Sequence, residues 1–308
     1  MAARRRHVIA AAAGGLSLTV EDPSGPGPIR CHVLYPTEVP ASPQRFGHYQ
    51  PLLSMQAPPP QAVLPQVVIS HGNGGTPWTH RDLAIDLARH GHLVILPEHC
   101  GNCVGDNRLA GTLDNLVNRP RQLSRVLDAV RAHPPLTICA AAEEVAVIGH
   151  SLGGYTALAA AGGQPIAGPH ETPEGRCRPV PVQADPRIRQ LVLLAPAAAR
   201  FAAPGALDAL DQPILIWAAE LDVLTPPAEA ELVQQATAPG QTRLQIIPGA
   251  GHFSFLSPFP AALDRPGFAP AQDPPGFDRL ALQVPMQQAI RQFLQIRMPI
   301  PSGALTRL

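Results

Sequence analysis

The chain reads as an α/β protein with a mostly parallel central sheet and helices on both faces. Three observations lead there. From residue 66 onward, short apolar runs of strand length alternate with longer segments of helical periodicity. The strand runs are nearly unbroken in Val, Ile and Leu, as in "VVIS", "LVIL" and "VAVIG", which suits strands covered on both faces. Hydrophobic residues make up 45% of the 308 and charged residues 15%, enough apolar material for one large core. Length alone would suggest roughly two domains. An α/β core with inserted loops accounts for it as one, over residues 17–308, behind a leader at 1–16.

The elements follow in order. "LSLTVED" and "IRCHVLYPT" alternate around "PSGPGP" and predict an antiparallel hairpin. "PQRFGHYQPLLSMQAPPPQAVLP" is broken by proline and predicts a surface loop. "QVVISHG" is a buried strand, "WTHRDLAIDLARHG" a helix stopped at Gly91, and "HLVILPEH" the next strand. "RPRQLSRVLDAVRAH" predicts an amphipathic helix starting near Pro120. "EVAVIGH" and "SLGGYTALAAAGG" are strand then helix. "QLVLLAP" and "PILIWAA" are strands, "PAEAELVQQAT" a helix, "RLQIIPGAG" a strand and "VPMQQAIRQFLQIRM" the closing helix. Two long proline-rich insertions interrupt this order, near residues 164–188 and 253–282. Segments of that length in a compact domain are often lids, and the first is expected to act as one.

Composition removes whole classes of chemistry. Every one of the 23 cations is arginine. There is no lysine for a Schiff base, a Walker loop or a Ser-Lys dyad. Net charge is zero, so nothing marks a nucleic-acid partner. No stretch approaches the length of a membrane span. The five cysteines are an odd, sparse set, which argues for free thiols and a cytoplasmic setting. Cys100 and Cys103 form a C-x-x-C without the second pair that a zinc site needs, so no metal is expected. The start "MAARRRHVIAAAAGG" has the shape of a short export signal, with Ala11–Ala13 as a cleavage site. Oligomeric state is not legible.

The chemistry sits in "EVAVIGHSLGGYTALAA". Gly149-His150-Ser151-Leu152-Gly153 fits G-x-S-x-G between a strand and a helix. The sharp turn forces the two backbones together, so the flanking glycines leave room and the serine is held at an exposed apex. A serine hydroxyl needs a base, and the base needs an acid to orient it. In this topology both follow, acid first, at the ends of later strands. Asp222 in "WAAELDVLTPP" and His252 in "IPGAGHFSF" fill those places. Asp208, Asp211 and Glu220 compete with Asp222 as the acid. An oxyanion hole would use the amide of Leu152, after the nucleophile, and that of Asn73 in the glycine-rich loop "ISHGNGGT", with Gly74 second. Phe253, Phe255 and Leu256 are expected to line an apolar substrate pocket. Arg119 and Arg121 are read as solvated arginines at a helix start.

These motifs, together with "HRDLAIDLARHGHLVILPEH", "NRPRQLSRVLDAV" and "GHSLGG", resemble the α/β-hydrolase superfamily from about Gln66 to the C-terminus. The narrower likeness is to bacterial dienelactone-hydrolase-like proteins and platelet-activating-factor acetylhydrolases. Two departures separate the chain from those relatives. Dienelactone hydrolases carry a cysteine nucleophile where this chain has Ser151. In the acetylhydrolases the acid follows an earlier strand, where "LVLLAPAAARF" offers no aspartate. The resemblance implies an α/β-hydrolase fold and a serine hydrolase that cleaves a small-molecule carboxylic ester or lactone without a cofactor. An amidase, or an acyltransferase or cyclase, would use the same triad. A non-catalytic ligand-binding member of the fold is the third reading.

Overall fold

A computed structural model of the chain describes residues 9–55 and 57–295. Its centre is an eight-stranded sheet. The strands are β1 (Ala12–Val20), β2 (Ile29–Thr37), β3 (Gln66–Ser70), β4 (Leu93–Glu98), β5 (Val145–His150), β6 (Ile188–Leu194), β7 (Ile214–Ala219) and β8 (Thr242–Ile247). Their spatial order is β1-β2-β4-β3-β5-β6-β7-β8. The β1–β2 and β2–β4 pairs are antiparallel, and every other pair is parallel.

Five helices cover the sheet: α1 (Arg81–Arg89), α2 (Leu113–Ala132), α3 (Leu152–Ala161), α4 (Pro227–Gln235) and α5 (Arg279–Leu294). The period of two along each strand divides the core into two layers. Val145 and Val147 of β5, Leu191 and Leu193 of β6, and Ile214 and Ile216 of β7 face the layer holding α2, α3 and α4. Ala146, Ile148, Val192, Leu194, Leu215 and Trp217 face the layer of α1 and α5. Each fully buried Leu or Ile contributes about 1.5–3 kcal/mol, so these layers carry the fold.

Three boundaries differ from the sequence reading. β1 begins at Ala12, paired with Thr37, so residues 12–16 belong to the sheet rather than to a leader. The arginines of the leader lie outside the described residues. Helix α2 begins at Leu113, and the Thr112 hydroxyl accepts from the Asn115 amide at 3.2 Å. Pro120 therefore lies inside the helix instead of starting it. A proline there leaves the carbonyl four residues back without its donor, and the Tyr155 hydroxyl supplies the missing hydrogen bond to Leu116 O at 3.0 Å. Helix α5 starts at Arg279, capped by the Asp278 carboxylate on the Ala281 amide at 3.0 Å, and runs through Pro285.

The segment at 164–188, expected to act as a lid, joins the end of α3 to the start of β6 and is pinned along its length. Ile166–Ala167 pairs with Arg178–Pro179, Glu171 bonds to Arg200, and Arg187 ties Asp185 to Asp128 of α2. The segment at 253–282 instead leaves from the edge that carries His252. It packs on the start of α1, where the Ser257 amide donates to Thr79 O and the Asp82 amide to Ser257 Oγ.

Candidate active site

Parallel strands deliver their following loops to one edge. The loops after β3, β5, β7 and β8 meet there, carrying Asn73, Ser151, Asp222 and His252.

Ser151 lies between β5 and α3 with φ 56 and ψ −121. That conformation costs a non-glycine residue on the order of 1–3 kcal/mol and survives only where neighbours over-determine it. Here the Ser151 amide donates to Leu194 O at 3.0 Å, and its carbonyl accepts from Gly154 N at 2.8 Å and Ala197 N at 2.9 Å. The glycines have steric reasons. A Cβ on Gly149 would sit 2.2 Å from Gly153 O, and one on Gly153 would sit 2.0 Å from Ser70 O. One on Gly154 would meet Pro196 at 2.7 Å.

The three sequence-selected residues form a hydrogen-bonded relay. His252 Nε2 lies 2.9 Å from Ser151 Oγ, and His252 Nδ1 lies 2.7 Å from Asp222 Oδ2. With Nδ1–H donated to the carboxylate, Nε2 accepts the serine proton. Two backbone bonds tie the acid and base loops together: Leu221 N to Ala250 O at 2.8 Å, and Glu220 N to Ile247 O at 3.2 Å. Two of the competing acids are engaged elsewhere: Glu220 accepts from Gly249 N and Asp211 faces Arg189. Asp208 closes a backbone turn with Gly205.

Asp222 is 4% exposed. Burial alone would raise its pKa. Hydrogen bonds from His252, Thr225 N and Leu224 N, with the His252 charge, outweigh burial and hold it below the ordinary 3.8. Thr225 is a site residue that the sequence reading missed. Its hydroxyl is 2.9 Å from Asp222 Oδ2, 2.9 Å from Ala195 O and 3.1 Å from His252 Nδ1. The signal was local, since an aspartate accepting from the amides two and three residues on is an Asx turn.

His150, the residue before the nucleophile, was also missed. Its Nε2–H donates to the His252 carbonyl at 2.9 Å, fixing the backbone of the base. Burial, then the neighbouring His252 and His80, push its pKa well below 6.5.

Both segments expected to supply oxyanion donors adjoin Ser151. Leu152 N begins α3, and the loop bearing Asn73 passes so close that a Cβ on Gly72 would touch Ser151 Cβ at 3.3 Å. Gly74 has φ 58, which only glycine adopts freely. The Asn73 side chain accepts from Asn102 Nδ2 at 2.7 Å.

Comparison of the chain with protein-family models and with curated proteins gives no match.

Two groups of expected residues sit elsewhere. Phe255 is 1% exposed in the α1/α5 layer and Leu256 is 4% exposed, so both are packed inside the protein. Apolar residues after the base are core here because the chain turns inward under α1. Phe253 alone stays beside the relay, its ring edge-on to His252 at 4.9 Å. The arginines also differ from the reading as solvated. Arg121 grips the buried Asp22 carboxylate, with its Nη2 2.8 Å from Oδ2. Arg119 is 0% exposed. Helix α2 starts about two turns earlier than expected, and position 119 lies on its inner face.

Around Arg119 lies a polar cluster without a sequence signature. His71 Nε2 accepts from His99 N at 3.1 Å, so its Nδ1–H donates to Gly72 O at 2.8 Å. His99 Nδ1–H donates to Gln122 Oε1 at 3.0 Å, leaving Nε2 to accept from the Ser70 hydroxyl at 2.8 Å. Both rings are neutral, pushed well below 6.5 first by burial and then by the Arg119 charge. Burial likewise lowers Arg119 from 12.5 to about 9, so it stays charged at neutral pH.

Among the described residues no group of three or more His, Cys, Asp or Glu side chains is placed to hold a metal ion. All five cysteines are free. No described helix is long and apolar enough to cross a membrane.

Proposed function

We propose that the protein is a serine hydrolase of the α/β-hydrolase type, acting on a carboxylic ester or lactone. The observation that carries the reading is the unbroken relay from Ser151 Oγ through His252 to Asp222, mounted on a serine at positive φ. The chain order of serine, acid and histidine at successive strand ends supports the superfamily assignment.

The chemistry follows from the atoms. His252 Nε2 takes the Ser151 proton as Oγ attacks the ester carbonyl. The resulting imidazolium is stabilised by Asp222, which is held ionised by its four donors. The oxyanion is received by the amides of Asn73 and Leu152. His252 then protonates the leaving alkoxide, and an acyl-enzyme remains on Ser151. Water, deprotonated by the same ring, cleaves it. Phe253, beside the base, gives the acyl or alcohol group one apolar contact.

The test is a rate panel of matched p-nitrophenyl esters, thioesters and anilides, run on the wild type, Ser151→Ala and Asp222→Asn. Ester turnover abolished by the first variant and cut roughly 10⁴-fold by the second supports the reading. Added methanol or hydroxylamine that diverts most of the acyl group from water would move the assignment to acyl transfer. A folded wild type inert to every substrate would remove it.

A further inference from the structure

Arg119 is a fully buried cation whose hydrogen-bond partners among the described residues include no carboxylate. Its Nε donates to Thr156 Oγ1 at 2.9 Å, one Nη to Asn102 Oδ1 at 2.7 Å, and the other to the His71 carbonyl and, at 3.4 Å, to Ser70 Oγ. All four acceptors are neutral. An unpaired buried charge costs several kcal/mol, and replacing one of these acceptors by a carboxylate would relieve that cost. The protein instead surrounds the guanidinium with neutral groups that all belong to one place.

That place is the back of the proposed oxyanion hole. Thr156 lies one turn after Leu152 in α3, and its own hydroxyl proton goes to Leu152 O at 2.9 Å. The His71 carbonyl belongs to the peptide that leads into Gly72 and Asn73. Asn102, held by Arg119 through its oxygen, passes its amide protons on to Asn73 Oδ1 at 2.7 Å and Asn107 Oδ1 at 2.6 Å. One side chain therefore braces both donors, Leu152 from one side and Asn73 from the other. It also sets a positive charge behind them, where water cannot screen it.

We propose that Arg119 is the positioning residue of the oxyanion hole, its unneutralised charge and its bonds to Thr156, His71 and Asn102 holding the Asn73 and Leu152 amides on the developing oxyanion. The inference rests on the hydrolase reading above. It assigns Arg119 no contact with substrate. It accounts for the neutral surroundings, because a carboxylate at this position would cancel the field where the reaction builds negative charge.

The experiment compares wild type, Arg119→Met, Arg119→Lys, Asn102→Asp and Asn102→Ala. Each is measured for thermal unfolding, kcat and KM on an activated ester, and inhibition by a trifluoromethyl ketone, which Ser151 converts to a hemiketal oxyanion. For Arg119→Met we expect kcat to fall about 100-fold with KM within about threefold, and ketone affinity to fall by a similar factor. Arg119→Lys recovers about tenfold of that loss, since it keeps a charge without the fork. Asn102→Asp separates charge from bracing when it is read against Asn102→Ala. Both lose the amide donors to Asn73 and Asn107, but only Asn102→Asp adds a counter-charge beside Arg119, so kcat and ketone affinity should fall further in Asn102→Asp than in Asn102→Ala. An Asn102→Asp no less active than Asn102→Ala would mean that the charge of Arg119 does no work, and that result would overturn the proposal. So would a folded Arg119→Met with unchanged ketone affinity. If Arg119→Met does not fold, the two Asn102 variants and Arg119→Lys decide. A wild type that a fluorophosphonate does not label would instead defeat the hydrolase reading, and this inference with it.

Discussion

His80 offers a sharp test of how the core is built. The side chain is 1% exposed, and neither ring nitrogen has a hydrogen-bond partner among the described residues. Burial alone lowers its pKa from 6.5 to about 4. The folded state therefore refuses a proton that the unfolded chain accepts between those values. Stability from this group is fully present above pH 6.5 and is lost as pH falls toward 4. One pKa unit is worth about 1.4 kcal/mol, so going from pH 6.5 to about pH 5 removes about 2 kcal/mol through His80 alone. His80→Leu deletes that proton site while keeping an apolar side chain in the layer. Urea denaturation of both proteins at several pH values from about 8 to about 5 reads the effect. The expected result is a variant at least as stable as wild type at pH 8, with an acid-side loss smaller by about 2 kcal/mol. Parallel stability curves would refute the reasoning, because they would mean that His80 titrates alike in both states.

Further outcomes follow from the same structure. His32 is also pushed to about 4 by burial, and His71, His99 and His150 lie well below 6.5, so wild-type acid unfolding should begin near pH 6, above the carboxylate range, in a circular-dichroism pH titration. Thr225→Val keeps the volume but removes the one hydroxyl proton that Asp222 Oδ2 and Ala195 O share; kcat should drop about tenfold with KM nearly unchanged in steady-state kinetics. Gly153→Ala drives a Cβ to within 2.0 Å of Ser70 O, so loss of at least about 3 kcal/mol of stability is expected in chemical denaturation. Tyr155→Phe leaves Leu116 O without a donor and should cost about 1–3 kcal/mol, much of it restored when Pro120→Ala supplies a backbone N–H.

The sequence carried the parts of this protein that local pattern controls. Apolar runs and helical spacing placed the strands and helices of the sheet, and G-x-S-x-G with later Asp222 and His252 picked out three residues that the fold brings into hydrogen-bond contact. What it could not carry depends on contacts between distant segments. Pro120 read as a helix start because the rescue of Leu116 O comes from Tyr155, 39 residues away. Arg119 read as solvated because its acceptors lie on the loops after β3 and β4 and on α3. Phe255 and Leu256 read as pocket residues because their apolar character does not tell which way the loop folds. β1 read as starting late because Ala and Gly at 12–15 carry little strand signal, and only pairing with β2 defines them.

The central claim is that Ser151 is an activated nucleophile. Intact-mass measurement after treatment with a fluorophosphonate, on the wild type and on Ser151→Ala, tests it most directly. The account requires a single adduct on the wild type and none on the variant. A folded wild type that stays unmodified, or an adduct that persists on Ser151→Ala, would contradict it.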